Sequence, residues 1–266
     1  MLPSGRFHPF ELDTFGLGKV LQAVVKKGAR RCFLGIGGSA TNDGGFGVAK
    51  ALGWQFLDAA RGSIERWTEL WRLAKVFPPQ KRLWCKRLIV AVDVQNPLPG
   101  SRGATRIYGP QKGLRPDDFP RAERALRRLS RTSPEIARQS GAGAAGGLGF
   151  GLAAFFGASL CSGFEIFSEQ ARLDNHLQDA DLVITGEGQI DVSTLMGKAV
   201  GQVTRRCRRF RIPSVVLAGT VVGGPRVRNA FTTVNALTDL VSRKKALTEP
   251  ARWLETLAQR AASSHR

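Results

Sequence analysis

The chain has 266 residues, with 40 Lys and Arg against 21 Asp and Glu, a formal net charge of +19. Hydrophobic residues make up 42%, enough for a packed core, which excludes a disordered body, and no apolar run approaches the ~18 residues of a membrane span. The four cysteines, Cys32, Cys85, Cys161 and Cys207, stand far apart with no CxxC pair, which excludes a zinc ribbon or a disulfide framework. Met1–Arg6 lacks the apolar region of a signal peptide, so a cytoplasmic location is expected.

In chain order, residues 16–27 form a helix with Val20, Leu21, Val24 and Val25 on one face. Arg31–Ile36 reads as a buried strand that runs into a Gly-rich turn, and Ala40–Gly53 as the helix behind it. Leu88–Val92 is a second strand, stopped by Asp93 and then by Asn96 and Pro97. Pro120–Arg131 is a helix whose stripe is Ala122, Ala125, Leu126 and Leu129, with Asp117 and Asp118 capping the positive end of its dipole. Gly141–Gly151 leads into an apolar helix through Leu160. Asp181–Thr185 and Ser214–Ala218 are strands flanking a helix over Ser193–Arg209, a spacing that suits a crossover in a parallel sheet. Pro250–Ala262 is the last helix. The fold class is α/β.

Four segments carry more than a scaffold needs. Gly35–Gly45 follows a strand and combines glycines, which let backbone N–H groups approach an anion, with Ser39, Thr41 and Asn42 as side-chain donors and Asp43 as an acceptor for a metal or hydroxyl. A tight strand-to-helix turn needs one glycine, not this set. Asp93 stands at the carboxyl end of a strand, where open α/β sheets bind ligands, and Lys112 lies in a Gly-flanked loop fit to meet a phosphate. Asn96 reads equally well as an Asx turn before Pro97. In Gly141–Gly149, Gly143 and Gly146 suit either close phosphate approach or tight helix packing, evenly weighted. In Gly186–Asp191 two carboxylates, Glu187 and Asp191, sit on a glycine-flexed loop with Lys198 behind, which suits metal binding or general-base work. Asp191 also fits an N-cap, and both readings can hold. His8, His176 and His265 lack the spacing of a metal cluster or triad.

Of the 40 basic residues 29 are Arg, a nucleic-acid-like balance. The densest groups are Arg121–Arg138, on the polar face of a helix, and Arg205–Arg211, at a helix end. Both read better as a solvated basic surface, with no nucleic acid as partner.

Taken together, Gly35–Gly45, Asp93–Leu98, Tyr108–Gly113, Gly141–Gly149 and Ile184–Asp191, in that order and spacing, resemble the type I bacterial glycerate kinase family, and Ala236–Leu240 fits its closing region. The resemblance runs from Phe15 to the C-terminus. It implies an ATP- and Mg²⁺-dependent kinase acting on D-glycerate, with two α/β domains, one of them flavodoxin-like, and an active site in the cleft between them. The expected division is a central α/β domain over 1–177 and the C-terminal part of the flavodoxin-like domain over 178–266. The family's opening strand with its Asp-Ser-Phe-Lys-Gly segment, and a later Asp-Gly-Gly-Glu-Gly segment, have no counterpart here. The flavodoxin-like sheet is therefore expected to be incomplete; the sequence reads as truncated with impaired activity, as started at a late Met codon, or as split between two genes, with a separately encoded N-terminal portion as partner in the last case.

The expected roles are as follows. Gly37, Gly38, Ser39, Thr41 and Asn42 donate to phosphate oxygens, joined by Gly143 and Gly146, and Asp93 belongs to the substrate- and phosphate-binding set at the sheet edge. Asp43 and Glu187 hold Mg²⁺, and Asp43 is also counted with Asp191 and Lys198 in the catalytic set. Asp191 is the base near the glycerate hydroxyl, and Lys198 or Lys112 neutralises the substrate carboxylate or a phosphate. Two alternatives stand beside this reading. One is an NAD-dependent oxidoreductase using Gly35–Ala40, where Gly35, Gly37 and Ala40 fit G-x-G-x-x-A with Asp58 further on. The other is an inactive basic fragment binding nucleic acid through the two Arg-rich groups.

Overall fold

Parallel strand pairing organises both halves of the computed structural model, which describes residues 7–263. His265 and the opening Met1–Arg6 lie outside the described residues. The chain divides into two compact units, Met1–Gly163 and Phe164–Arg266, so the division falls earlier than the expected 177/178 boundary.

The first unit holds strands β1 (Arg31–Gly35), β2 (Gln55–Leu57), β3 (Lys75–Phe77), β4 (Arg87–Ala91) and β5 (Ser159–Cys161). Its helices are α1 (Phe15–Lys26), α2 (Phe46–Ala51), α3 (Ala104–Tyr108), α4 (Phe119–Ser130), α5 (Pro134–Arg138) and α6 (Ala144–Phe156), with α7 (Gly163–Gln170) at the boundary. The main sheet is parallel in the order β1-β4-β5, and β2-β3 is a separate antiparallel pair. Phe46, Phe56, Trp67 and Phe150 are fully enclosed in its core.

The second unit holds α8 (Leu173–Gln178), β6 (Val183–Ile190), α9 (Val192–Leu195), α10 (Ala199–Phe210), β7 (Ser214–Val221), α11 (Gly224–Arg228), β8 (Thr233–Ala236), α12 (Arg243–Thr248) and α13 (Pro250–Ser263). Its parallel sheet runs β6-β7-β8 around Ile190, Val216 and Val227. Among the described residues no helix is long and apolar enough to cross a membrane, and all four cysteines are free thiols.

Several elements differ from the sequence reading, each for a local reason. β1 is an edge strand, so only Cys32 and Leu34 turn toward the core while Arg31 and Phe33 face out. The helix expected from Ala40 begins only at Phe46, because Gly44 and Gly45 take left-handed φ of 65° and 76°. The apolar helix expected to reach Leu160 stops at Phe156, capped by Gly157 at φ 66°, which frees Ser159–Cys161 for β5. Gly186–Ile190 is strand rather than loop. A Cβ at Gly186 would lie 2.2 Å from the Leu217 carbonyl oxygen and one at Gly219 2.5 Å from that of Gly188, so these glycines serve strand-to-strand approach. The helix expected over Ser193–Arg209 is broken at Gly197, φ 134°. Asp118 does not cap α4 through its side chain; it accepts from the Arg115 N–H and the His8 ring instead. The pairs β2-β3 and the strand β8 carry no strong alternation and are visible only in the fold.

The start of α2 and the body of α6 meet backbone to backbone. A Cβ on Gly151 would lie 2.6 Å from both the Gly44 oxygen and the Gly45 Cα, and one on Gly147 2.8 Å from the Gly44 Cα. Ala in a helix interior gains up to about 1 kcal/mol over Gly. Gly151→Ala should nevertheless destabilise by about 1–3 kcal/mol through overpacking. The measurement is the urea midpoint at unchanged m-value, and a midpoint that stays or rises would show that the two helices are not in close contact.

Candidate active site

At the carboxyl end of β1 the chain stays in loop from Ile36 to Gly45. Gly37 and Gly38 are exposed, with Gly38 at φ 73°, so their backbone is open to a ligand. Behind them Ser39 and Thr41 form a hydroxyl pair: the two oxygens are 3.0 Å apart, and the Thr41 N–H donates to Ser39 Oγ at 3.2 Å. Ser39 Oγ donates in turn to the Ala145 carbonyl at 3.3 Å.

That carbonyl belongs to an unusual turn. Ala145, Gly146 and Gly147 all lie in the left-handed region, at φ 54°, 69° and 88°, so regular α6 begins after them. For Ala145 this costs on the order of 1 kcal/mol or more. Gly146 permits the closest approach of all. A Cβ there would lie 2.0 Å from the Thr41 carbonyl oxygen and 2.8 Å from Lys112 Nζ. Lys112 Nζ donates to the same Thr41 oxygen at 2.6 Å. Burial pushes the Lys112 amine down to about 8, against the pull of the Asp43 charge. Three segments distant in sequence thus bring Ser39, Thr41, Lys112 and Gly146 together beside exposed glycine backbone.

Asn42 and Asp43 are fully buried and do not join that surface. Asn42 Nδ2 donates to Thr105 Oγ1 at 3.0 Å, while its Oδ1 has no partner. Asp43 Oδ2 accepts from the Thr14 N–H at 2.8 Å, Thr14 Oγ1 at 2.7 Å and the Gly47 N–H at 2.9 Å, and Oδ1 accepts from the Gly45 N–H at 3.1 Å. Burial raises its carboxyl above the ordinary range, opposed by those donors. The direct phosphate role expected of Asn42 and the metal and catalytic roles expected of Asp43 are therefore corrected: neither side chain presents an atom to a ligand. Asp93 is exposed beyond β4 and accepts from the Gly163 N–H at 3.1 Å. Gly143 donates to the Asn96 carbonyl at 2.8 Å, and a Cβ on it would lie 2.3 Å from the Pro97 oxygen, so it packs the loop after β4 against α6 rather than facing the Lys112 cluster. Asn96 takes no Asx turn; its Oδ1 accepts from the Tyr108 hydroxyl at 2.5 Å and its Nδ2 donates to the Arg102 carbonyl at 2.8 Å.

In the second unit, Glu187 stands half-buried on β6 opposite Ala218 and accepts from Thr194 Oγ1. Asp191 is the N-cap of α9: its Oδ1 accepts from the Ser193 N–H at 2.8 Å and Ser193 Oγ at 2.5 Å, and its Oδ2 from Gln189 Nε2 at 3.0 Å. The Ser193 hydroxyl, the Gln189 amide and, more weakly, Lys198 hold the Asp191 carboxyl down at about 2. Lys198 Nζ is 3.8 Å from Asp191 Oδ1. These bonds give Asp191 the N-cap place that its sequence position also fits. Among the described residues no group of three or more His, Cys, Asp or Glu could hold a metal ion. Mg²⁺ needs only one or two protein carboxylates beside substrate phosphates. Glu187, with Oε1 on Thr194, fits that requirement, whereas enclosed Asp43 does not.

The model of the glycerate kinase family matches residues 1–266. The chain belongs to the glycerate kinase family. Within the family, it is 38% identical over 227 residues to the glycerate kinase of Haemophilus influenzae, covering 82% of this chain and 60% of that protein. It is 36% identical over 274 residues to the glycerate kinase of Halalkalibacterium halodurans, covering 98% of this chain and 71% of that protein. A crystal structure of a Salmonella typhimurium LT2 chain assigned to glycerate kinase 2 aligns with TM-score 0.75 and 33% identity, over 98% of this chain and 71% of that one. The chain spans 60% of the length of the Haemophilus influenzae relative.

Membership of the glycerate kinase family agrees with how the first loop is built. A dinucleotide site needs a helix N-terminus directly behind its glycine turn, but here loop continues from Ile36 to Gly45. Asp58 is not a ribose ligand either. It caps its own turn, accepting from the Ala60 and Gly62 N–H groups at 3.0 and 2.8 Å, and pairs with Arg72 at 3.2 Å. The sequence offered no signal for the left-handed Ala145 or for Thr14, the partner of Asp43, since neither belongs to a polar motif.

Two outcomes follow. An anion beside Lys112 favours its ammonium form, so pyrophosphate affinity should fall as pH rises through about 8, by up to about tenfold per pH unit. Lys112→Met should bind weakly with a flat profile; calorimetric titration between pH 7 and 9.5 (roughly one unit either side of the midpoint) checks this, and an equal slope in both proteins would sink it. Asp43→Ala leaves four enclosed donors unpaired and should destabilise by about 3 kcal/mol or more, read from urea unfolding.

Proposed function

We propose that this chain carries out phosphoryl transfer from ATP to D-glycerate, with Mg²⁺, as part of a glycerate kinase in the cytoplasm. The observation that carries the reading is the convergence of Ser39, Thr41, Lys112 and the left-handed Ala145–Gly147 turn beside the open Gly37-Gly38 backbone. Such an array offers hydroxyl, backbone and ammonium donors to one multiply charged anion, the requirement of phosphoryl transfer, which rests on positioning and charge neutralisation. Membership of the glycerate kinase family, and the printed name of the Escherichia coli relative, "Glycerate 2-kinase", at 35% identity, support the acceptor.

In this reading Gly37, Gly38, Ser39 and Thr41 donate to phosphate oxygens, and Lys112 neutralises them. Asp43 is a positioning residue that fixes the loop and steadies the Lys112 charge. Gly146 keeps the approach to Lys112 clear. Within the second unit, taken by itself, Glu187 is the residue to hold Mg²⁺. Asp191 orients Ser193 and Lys198, and Lys198 meets the substrate carboxylate. Asp93 stays a polar contact at the sheet edge.

The test is ADP release from ATP and Mg²⁺ that depends on D-glycerate, followed by a coupled assay. It is run with this chain alone and with a polypeptide carrying the rest of a relative's length. Turnover in either arm is expected; D-glycerate-independent rates in both would end the reading. Asp191→Asn separates the two roles of that residue, because Asn caps helices as well as Asp. With an orienting role kcat should stay within about tenfold, whereas a loss of ~10² or more would identify Asp191 as the base.

A further inference from the structure

We propose that the amino edge of the first unit's sheet binds single-stranded nucleic acid through its phosphates, at a surface separate from the kinase site and independent of that reading. Two segments, Lys26–Arg31 and Lys81–Arg87, each contribute four basic residues, and all eight side chains are exposed. They are far apart in sequence, and the parallel pairing of β1 with β4 joins them. Arg31 lies in register with Arg87, and the Arg87 N–H donates to the Arg30 carbonyl at 3.0 Å.

No carboxylate interrupts this surface from within. The sequence has no Asp or Glu between Asp13 and Asp43, nor between Glu69 and Asp93. Among the described residues none of the eight forms an ion pair. Like charges on neighbouring strands destabilise a sheet, and the Arg31–Arg87 repulsion is what a bound polyanion would relieve. The basic run at the end of α10 differs in charge: Arg206 pairs with Glu165 and Asp174, whereas Arg82 of the patch donates to the Cys85 and Lys86 carbonyls, which leave its charge unmatched.

Two details favour a single strand. The Arg31 guanidinium lies 5.2 Å from the centroid of Phe33, a ring 39% exposed, and that of Arg82 lies 5.2 Å from Trp84. Guanidinium planes braced over rings, beside an exposed aromatic, are platforms on which unpaired bases stack. A membrane surface calls for an apolar helix face to insert, whereas α1, the helix that ends at this edge, turns Leu21 into the core. Arg31 opens β1 and the Gly37–Thr41 loop follows its far end, so a strand here leaves the candidate active site clear.

The test is fluorescence anisotropy with a labelled single strand of about 20 nucleotides, between about 50 and 200 mM KCl. The patch variant is Arg31→Gln, Arg82→Gln, Lys86→Gln and Arg87→Gln together. The control removes the same charge elsewhere: Arg121→Gln, Arg124→Gln, Arg131→Gln and Arg138→Gln. The patch variant should lose at least about tenfold in affinity, with a salt slope shallower by about 0.7 for each phosphate contact removed. The control should change by less than about threefold, as expected of screened charge outside a contact. Equal losses in the two variants would mean diffuse charge and overturn the proposal. So would displacement of the strand by polyglutamate at equal charge concentration, or stronger capture by anionic vesicles. Circular dichroism melting of both variants checks that the fold is retained.

Discussion

Asp43 places a carboxylate in a fully enclosed position and surrounds it with four donors from two segments, Thr14 at the entry to α1 and Gly45 and Gly47 at the entry to α2. Burial without partners would expel such a group or keep it neutral. With its donors in place it ties the starts of two helices to the end of the loop that follows β1. Everything the candidate site needs hangs on that tie. The Thr41 carbonyl that receives Lys112, the hydroxyl pair of Ser39 and Thr41, and the open Gly37-Gly38 backbone all lie on the stretch that Asp43 anchors.

The glycines of this protein divide by the contact they permit. Gly151 and Gly147 let α6 press against the start of α2, Gly186 and Gly219 let β6 and β7 close up, and Gly146 lets the Thr41 carbonyl and the Lys112 ammonium meet. A Gly/Ala tract therefore serves packing and the site together. The left-handed Ala145 is held within this crowded region, its carbonyl accepting from Ser39. Strain of that size persists only where neighbouring contacts fix the backbone. Lys112 carries a second cost, desolvation, which brings its ammonium near to neutrality at about pH 8 and primes it for an anionic partner.

Charge is distributed with equal specificity. Around Arg206, Arg228 and Lys50 the basic side chains are matched by carboxylates. At the amino edge of β1 and β4 they are not, and the mismatch arises where two like-charged strand ends are held in register. Salt screens such exposed charges over ~8–10 Å, so the repulsion is tolerable to the fold while the surface stays attractive to a polyanion.

Much of this protein was legible in its sequence. The α/β class, α1, β1, α4 and α13 follow from apolar patterning within a dozen residues, and β4 from a continuous apolar run that is buried on both faces. The polar and glycine-rich segments that end β1, precede α6 and carry Lys112 stand out because scaffolds do not need them. Periodicity is silent on how far apart in space these segments lie. The tertiary structure alone decided that Lys112 meets Thr41 beside Gly146, that Asn42 and Asp43 turn inward while Ser39 and Thr41 remain at the surface, and that Glu187 stands on a strand. It alone joined Lys26–Arg31 to Lys81–Arg87, two basic runs of four residues each that are far apart in the sequence. The physical reason is common to all of these: burial, desolvation and charge repulsion depend on neighbours across the fold, and the sequence states which groups exist but not which ones the packing brings within reach.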